Sequence, residues 1–207
     1  MSNNGAVARN QVMDLSQIIQ KRRMVRNYRS DPVPAAVVEK ILDNARRAPS
    51  AGFTQGQSFV VITDPVTRRA IADLAHEDEY VAEGFDPWIS SAPVLVVVCT
   101  SEAAYRARYA EPDKAGSSKA EQWPVPYWHV DAGAVLMLLL LAVVDQGLAA
   151  GFAGSHNLGA IGELLGIPQD VTPIGLVTIG WGAPDRHSGS LKRGRIPLED
   201  VIHWERW

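Results

Sequence analysis

The chain is poor in cysteine: it contains only Cys99 and has no CxxC pair. One cysteine cannot form an internal disulfide, and zinc sites of the CxxC type are excluded. The five histidines, at positions 76, 129, 156, 187 and 203, are scattered without ligand spacing, so no metal site is predicted. Because the composition suits a reducing compartment, we expect a cytoplasmic protein.

No charge of one sign and no long apolar run dominates the sequence. The net charge is −3, with 20 basic and 23 acidic residues, which argues against a nucleic-acid partner. The longest apolar run, Ala132–Val144, is closed by Asp131 and Asp145. As a helix it would span about 20 Å, short of the roughly 30 Å of a bilayer core. We therefore predict a buried core helix and no membrane partner. The N-terminus lacks the apolar stretch of a secretory signal.

Three common catalytic motifs are missing as well. The chain has no GxxxxGK[ST] phosphate loop, no GxGxxG that opens a helix after a first strand, and no GxSxG elbow. Cys99 stands in a β-branched run, which favours a core position over a nucleophilic one. Since no side chain is identified as an acid, a base or a nucleophile, the pattern is compatible with a reaction carried by a cofactor.

The 207 residues, 46% hydrophobic and 21% charged, predict one globular domain over residues 13–207 behind a loose tail at 1–12. Apolar periodicity and turn signals predict helices and strands in irregular alternation, and hence a three-layer α/β or α+β fold. The predicted helices cover 14–22, 35–48, a segment from 64 onward, 127–146, 158–165 and 198–202. The predicted strands cover 58–63, 93–100, 149–154 and 174–181.

The least regular stretch, residues 84–128, is unusually aromatic. Its aromatic residues include Trp88, Tyr105, Tyr109, Trp123, Tyr127 and Trp128. Such a segment suits a lid over a flat ligand, with Trp123, Tyr127 and Trp128 nearest to the substrate. A packed excursion that only covers the core explains the same composition, and the sequence leaves both interpretations open.

Two arginine-rich segments stand far apart in the chain. Lys21, Arg22, Arg23 and Arg26 fall within six residues at the end of the first predicted helix. The helix dipole favours cations there, whereas the guanidinium fork of arginine also matches phosphate oxygens. The second segment, residues 193–195, reads Arg-Gly-Arg in the tail. A phosphate site and a solvated charged surface both fit these patterns.

Two further segments are rich in small residues. Residues 48–56, APSAGFTQG, join a helix to a strand and leave backbone amides and hydroxyls free to bind. Residues 147–156, GLAAGFAGSH, follow the apolar helix, and their glycines allow a flat group to approach the backbone.

Taken in order, these four segments resemble the nitroreductase superfamily of flavin mononucleotide (FMN) enzymes. The RRMVRNY of residues 22–28 is similar to the family's RRSxRxF, and APSAGFTQGQ is similar to its APSxxNxQPW loop. The apolar helix, the glycine-rich segment and the terminal RGRIP follow in the family's order, so the resemblance covers residues 15–198.

The resemblance implies a homodimer with FMN at the subunit interface, a mixed sheet flanked by helices with a buried central helix, and a C-terminal arm, residues 182–207, that crosses to the partner. It places Arg22 and Arg195 at the phosphate, Arg26 and Arg193 at the pyrimidine edge, and the backbone of Gly154 near flavin N5. The remaining implied cofactor contacts are Arg23, Met24, Pro49, Ser50, Gln55 and Ser155.

The implied reaction passes hydride from NADH or NADPH through FMN to an electron-poor small molecule such as a nitroaromatic, a quinone or a conjugated alkene. The loop around Phe53 is nearer to the flavin-cleaving and iodotyrosine-dehalogenating branch. Met24 and Gly154 stand where flavin-cleaving members have Asp and Ser. Dehalogenation, flavin cleavage, oxidation of a biosynthetic intermediate and a non-catalytic flavin-binding role remain alternatives.

Overall fold

Four antiparallel strands form the sheet around which the chain is built. They are β1 (Gln57–Ile62), β2 (Val94–Thr100), β3 (Ala149–Ala153) and β4 (Thr172–Gly180), in the order β1-β2-β4-β3. The computed structural model describes residues 13–186 and 188–207, so the tail predicted at 1–12 lies outside the described residues. Every strand pair is antiparallel, and the parallel pairing expected of a mixed sheet is limited to an isolated bridge between Met24 and Ala150.

Seven α-helices of the described residues pack around this sheet. They are α1 (Leu15–Lys21), α2 (Ala35–Ala45), α3 (Pro65–Leu74), α4 (Glu77–Ala82), α5 (Glu102–Tyr109), α6 (Tyr127–Asp145) and α7 (Leu158–Leu164). Asp14 begins α1 with a capping box, and Asp64 with Pro65 begins α3. Short 3-10 turns stand at Ala51–Phe53, Pro112–Lys114, Ala120–Gln122, Gly189–Arg193 and Leu198–Asp200.

The sheet separates two apolar cores, because alternate side chains of β2 point to opposite faces. Val96 and Val98 pack with α2 and α6, whereas Leu95 and Val97 pack with α3 and α7. All seven residues of β2 are buried, as a strand covered on both faces requires. The predicted three-layer α+β architecture is confirmed.

Helix α6 is long and apolar enough to cross a membrane by length and composition. Its inner side packs in the first core through residues such as Val135 and Leu139, both fully buried. Its outer side leaves Val130 50% and Met137 46% exposed in the single chain. The helix is thus the predicted central helix, with one apolar side open.

Candidate functional site

The arginine segment that follows α1 lies along the free edge of β3. The Val25 N–H donates to the Ala150 carbonyl at 2.9 Å, and Tyr28 forms an isolated antiparallel β-bridge with Gly182. A Cβ at Gly151 would lie 2.5 Å from the Val25 carbonyl oxygen, so only glycine allows this close approach. The segment is therefore fixed against the sheet before any ligand binds.

A buried pair of hydroxyl groups, from Tyr28 and Thr178, also holds this segment. The Tyr28 hydroxyl donates to the Val25 carbonyl at 2.7 Å and lies 2.6 Å from Thr178 Oγ1, which accepts from the Gly151 N–H. Burial strongly raises the pKa of Tyr28, so the phenol stays protonated and keeps its donor. Sequence reasoning missed this pair, because its members stand 150 residues apart.

The arginines of this segment have different surroundings. Nη1 of Arg22 is buried and finds no hydrogen-bond partner in the part of the chain that the structure describes. Arg23 instead directs its guanidinium to the carbonyls of Gln20 and Arg22 at the end of α1. The guanidinium carbon of Arg26 lies 5.5 Å from the ring centroid of Trp88, and the Arg26 N–H donates to Asp185 at 2.7 Å. Arg22 is thus the member of the segment with a buried, unused donor.

The turn after β3 opens beside a cavity. Gly154 is exposed, and a Cβ built there would meet nothing within 4 Å. The Ser155 hydroxyl accepts from the Asn157 N–H at 3.1 Å. The cavity holds about 360 Å³ between this turn and α4. Its lining residues are Ala75, His76, Glu79, Tyr80, Glu83, Gly154, Ser155 and His156.

The loop between α2 and β1 has an unusual backbone. Gly52, Phe53 and Gln55 all have left-handed φ values, of 63°, 56° and 53°. Such values cost free energy for residues other than glycine, so the surrounding structure must hold them. The Ser50 hydroxyl accepts from the Gln55 N–H at 2.9 Å, and Pro49 is exposed beside it. The loop is a built feature rather than a loose connection.

This loop and the turn at Gly154 stand at the same end of the sheet on opposite edges. Gln57 of β1 pairs with Thr100, whereas Ala153 ends β3 opposite Leu176. Three strand intervals separate the two edges, which amounts to about 14 Å. The structure therefore groups the arginine segment with Gly154 and sets Pro49, Ser50 and Gln55 on the other edge.

The aromatic residues of the irregular stretch form one cluster, which consists of Tyr105, Tyr109, Trp123, Tyr127 and Trp128. Trp123 is at its centre: its ring centroid lies 4.6 Å from that of Tyr109 and 5.4 Å from that of Tyr127, both edge-on. The Tyr105 ring is 1% exposed, whereas Tyr127 remains 39% exposed. The predicted stretch 84–128 also contains β2, so its lid-like part is confined to the residues after Thr100.

The C-terminal arm leaves the body of the chain after Arg186. The Ala183 N–H still donates to the Asn27 carbonyl, and Arg186 lies over Phe85. From Leu191 to the end every residue is exposed, including Trp204 at 81% and Trp207 at 100%. Within the described residues, neither Arg193 nor Arg195 forms a hydrogen bond or ion pair with the arginine segment.

Cys99 and the histidines are the remaining candidates for a nucleophile or a metal ligand. Cys99 is fully buried in β2, and burial raises the pKa of its thiol to about 11. Among residues 13–186 and 188–207, no group of three or more His, Cys, Asp or Glu side chains is placed to hold a metal ion. His129 and His156 are exposed.

Comparison with known proteins identifies the family. Residues 19–181 match the Nitroreductase family. A protein named NADH dehydrogenase from Thermus thermophilus is 28% identical over 213 residues, which cover 93% of this chain and 97% of the relative. Iodotyrosine deiodinase of Nematostella vectensis is 28% identical, with 89% and 72% covered, and FMN reductase [NAD(P)H] of Bacillus subtilis is 28% identical, with 88% and 70% covered.

The fold agrees with this assignment. The solved structure of Bacillus megaterium NfrA2 superposes with a TM-score of 0.74 at 21% identity, and the match covers 93% of this chain and 74% of that one. The sequence match extends from α1 through β4, so it contains the arginine segment, the strained loop and the turn at Gly154. The chain belongs to the nitroreductase family.

Proposed function

We propose that the chain is an FMN-dependent oxidoreductase that uses NADH or NADPH to reduce a small electron-poor acceptor. Relatives named NADH dehydrogenase and FMN reductase support this reaction class. The observation that carries the proposal is the buried Nη1 of Arg22, which has no hydrogen-bond partner among residues 13–186 and 188–207. When bound, FMN would accept hydride from the nicotinamide and pass the electrons to the acceptor.

The surroundings of Arg22 fit a phosphate. A buried donor without an acceptor costs about 1–3 kcal/mol, and a ligand oxygen would remove that cost. The guanidinium fork binds phosphate oxygens with two parallel hydrogen bonds. The Val25–Ala150 contact and the Tyr28 hydroxyl hold the segment in place, so Arg22 would bind the phosphate without rearrangement of the backbone.

The surroundings of Gly154 and Arg26 fit a flavin ring. Gly154 carries no side chain and faces open space, so its backbone N–H would approach N5. Arg26 would hold a positive charge at the pyrimidine edge, where the reduced ring is anionic. Trp88 is buried beneath the Arg26 guanidinium and would orient it. In this account the protein supplies binding, orientation and charge, and no side chain transfers a proton.

A homodimer completes the proposal. Leu15 and Ile19 of α1 are 64% and 53% exposed, beside the open side of α6 and an arm that ends in exposed tryptophans. Apolar surface of this extent is characteristic of an interface. A second copy would supply Ser50 and Gln55, which stand on the opposite sheet edge. Its arm would carry Arg195 to the phosphate and Arg193 to the pyrimidine edge of the flavin. We assign the dimer to the cytoplasm.

The cofactor test is release from denatured protein. Purified protein should be yellow and should release FMN; release of FAD, or failure to bind added FMN, would contradict the proposal. Turnover is then measured with NADH and NADPH against a nitroaromatic, a quinone, a conjugated alkene and iodotyrosine, with free FMN as the blank. Selective turnover of iodotyrosine would favour the dehalogenating alternative, and turnover no faster than the blank would favour a flavin-binding module.

A further inference from the structure

A buried carboxylate at the start of α6 joins two parts of the molecule that are distant in sequence. Asp131 is 9% exposed, and its Oδ2 accepts from the Ala51 N–H at 2.8 Å and from the Tyr105 hydroxyl at 2.7 Å. Ala51 belongs to the strained loop, and Tyr105 belongs to the aromatic cluster. The same oxygen therefore holds Ala51, near the start of the loop, and the most buried ring of the cluster.

Helix α5 binds the other side of that loop. Nε of Arg108 donates to the Gly52 carbonyl at 2.9 Å, while its terminal nitrogens contact Glu111 and Asp113 at 2.8 and 2.7 Å. The Ser101 N–H donates to the Gly56 carbonyl at 2.9 Å. Polar contacts thus fix the loop to α5 near both of its ends.

Close packing leaves the loop no freedom to shift against α5. A Cβ at Gly52 would lie 2.7 Å from the Tyr109 ring, and a Cβ at Gly56 would lie 2.6 Å from the Tyr105 ring. Both distances are shorter than carbon atoms tolerate, so each tyrosine ring rests directly on loop backbone. These contacts flank Phe53 and Gln55, the two non-glycine residues of the loop with left-handed φ.

We propose that Asp131 is a positioning residue that locks the loop 50–56 to α5 and the aromatic cluster, so that the loop presents Ser50 and Gln55 in one geometry. Removal of the carboxylate would leave the half-buried Ala51 N–H and the buried Tyr105 hydroxyl without this acceptor. Loop and cluster would then move independently. The consequence for flavin rests on the proposed function, whereas the coupling between loop and α5 does not.

The chain offers variants that isolate this contact. Asp131→Ala removes the acceptor, and Asp131→Asn keeps the shape but removes the charge. Ala51→Pro removes only the donor, because proline has no N–H and suits the first position of a helical turn. Ser50, with φ −140° and ψ 143°, already has the extended backbone that a following proline requires. Val135→Ala is the control for general destabilisation, since Val135 is fully buried in the same helix without contacting the loop by a hydrogen bond.

The first measurement is hydrogen–deuterium exchange on flavin-free protein. Asp131→Ala and Ala51→Pro should speed exchange in the loop and in α5, and should leave β2 and β4 unchanged. Val135→Ala should not speed exchange in the loop more than in the rest of the chain. Equal exchange in the loop for Asp131→Ala and Val135→Ala would overturn the coupling. If the alanine variant does not fold, Asp131→Leu takes its place, because leucine fills the site without an acceptor.

The second measurement is FMN affinity by titration. We expect Asp131→Ala and Ala51→Pro each to raise the Kd about tenfold, since each breaks the same charged hydrogen bond. The double variant should be no weaker than Asp131→Ala, and Val135→Ala should stay within about twofold of wild type. If the losses of FMN affinity in the two single variants added up in the double variant, the proposal would be overturned. If wild type binds no FMN, the proposed function fails, and the exchange experiment still decides the coupling.

Discussion

The sharpest consequence of the structure concerns Arg22. Its Nη1 is buried and unpartnered among the described residues, so truncation to alanine removes no hydrogen bond between this atom and that part of the chain. A charged hydrogen bond is worth about 1.5–3 kcal/mol, and about 1.4 kcal/mol corresponds to a tenfold change in affinity. We therefore expect Arg22→Ala to weaken FMN binding about 10- to 100-fold while thermal stability of the flavin-free protein stays the same or rises.

The assay is fluorescence titration of flavin-free protein with FMN, together with thermal melting in the absence of flavin. Arg22→Lys should recover part of the affinity, because an ammonium group keeps the charge but lacks the fork. Arg29→Ala is the matched control: it removes the same charge a short distance away, from an exposed side chain paired with Asp31 at 3.3 Å. Equal losses for Arg22→Ala and Arg29→Ala would show that only net charge matters and would refute the assignment.

Four further predictions follow from the same geometry. Arg26→Ala should make the flavin midpoint potential more negative once FMN is saturating, because the substitution removes a positive charge from beside the anionic reduced ring. Spectroelectrochemistry measures this potential, and an unchanged value would count against placing Arg26 at the pyrimidine edge. Deletion of residues 191–207 should yield monomers that lose flavin, whereas sedimentation as a flavin-loaded dimer would contradict the role of the arm. The free energy of unfolding should fall as pH rises from about 9 to about 11, because the Cys99 thiol loses its proton at a lower pH in the unfolded chain than in the folded one. Cys99→Ala should flatten this pH dependence of the free energy measured by urea unfolding, and an unaltered slope would refute the assignment to Cys99. Tyr127→Leu should change acceptor preference more than flavin reduction by NADH or NADPH in stopped-flow traces, because Tyr127 keeps an exposed face; the reverse pattern would argue for a purely structural cluster.

Much of the fold could be predicted because its central elements carry strong local signals. The β-branched run that ends at Thr100 is β2, and the apolar run after Asp131 lies within α6. The strands at 57 and 149 begin within one residue of their predicted positions. The sequence predicted neither α4 nor α5, because each buries a single side chain, Glu77 and Tyr105, and such a helix shows no apolar period.

The candidate site was predictable as segments but not as an arrangement. The arginine segment and the turn at Gly154 are recognisable in sequence, yet their common position on the β3 edge depends on strand order. Asp131 carried a signal, as a charge at the edge of an apolar run, but its partners stand 80 and 26 residues away. Trp88 gave no signal of its contact with Arg26, because cation–π pairs have no sequence spacing.

The aromatic cluster bears on the two interpretations of residues 84–128 that the sequence left open. Trp123 and Trp128 pack against Tyr105, the most buried ring of the cluster, and this arrangement fits a cover over the core. Tyr127 keeps an exposed face, so a role toward a ligand rests on the outer ring rather than on the cluster as a whole. Both features come from long-range packing, which composition cannot specify.

The most direct test of the central claim is anaerobic titration of the FMN-loaded protein with NADH and with NADPH, followed by addition of an electron-poor acceptor. The account predicts that at least one nicotinamide bleaches the yellow flavin stoichiometrically and that the acceptor restores the colour. A protein that binds FMN but is bleached by neither nicotinamide would contradict it.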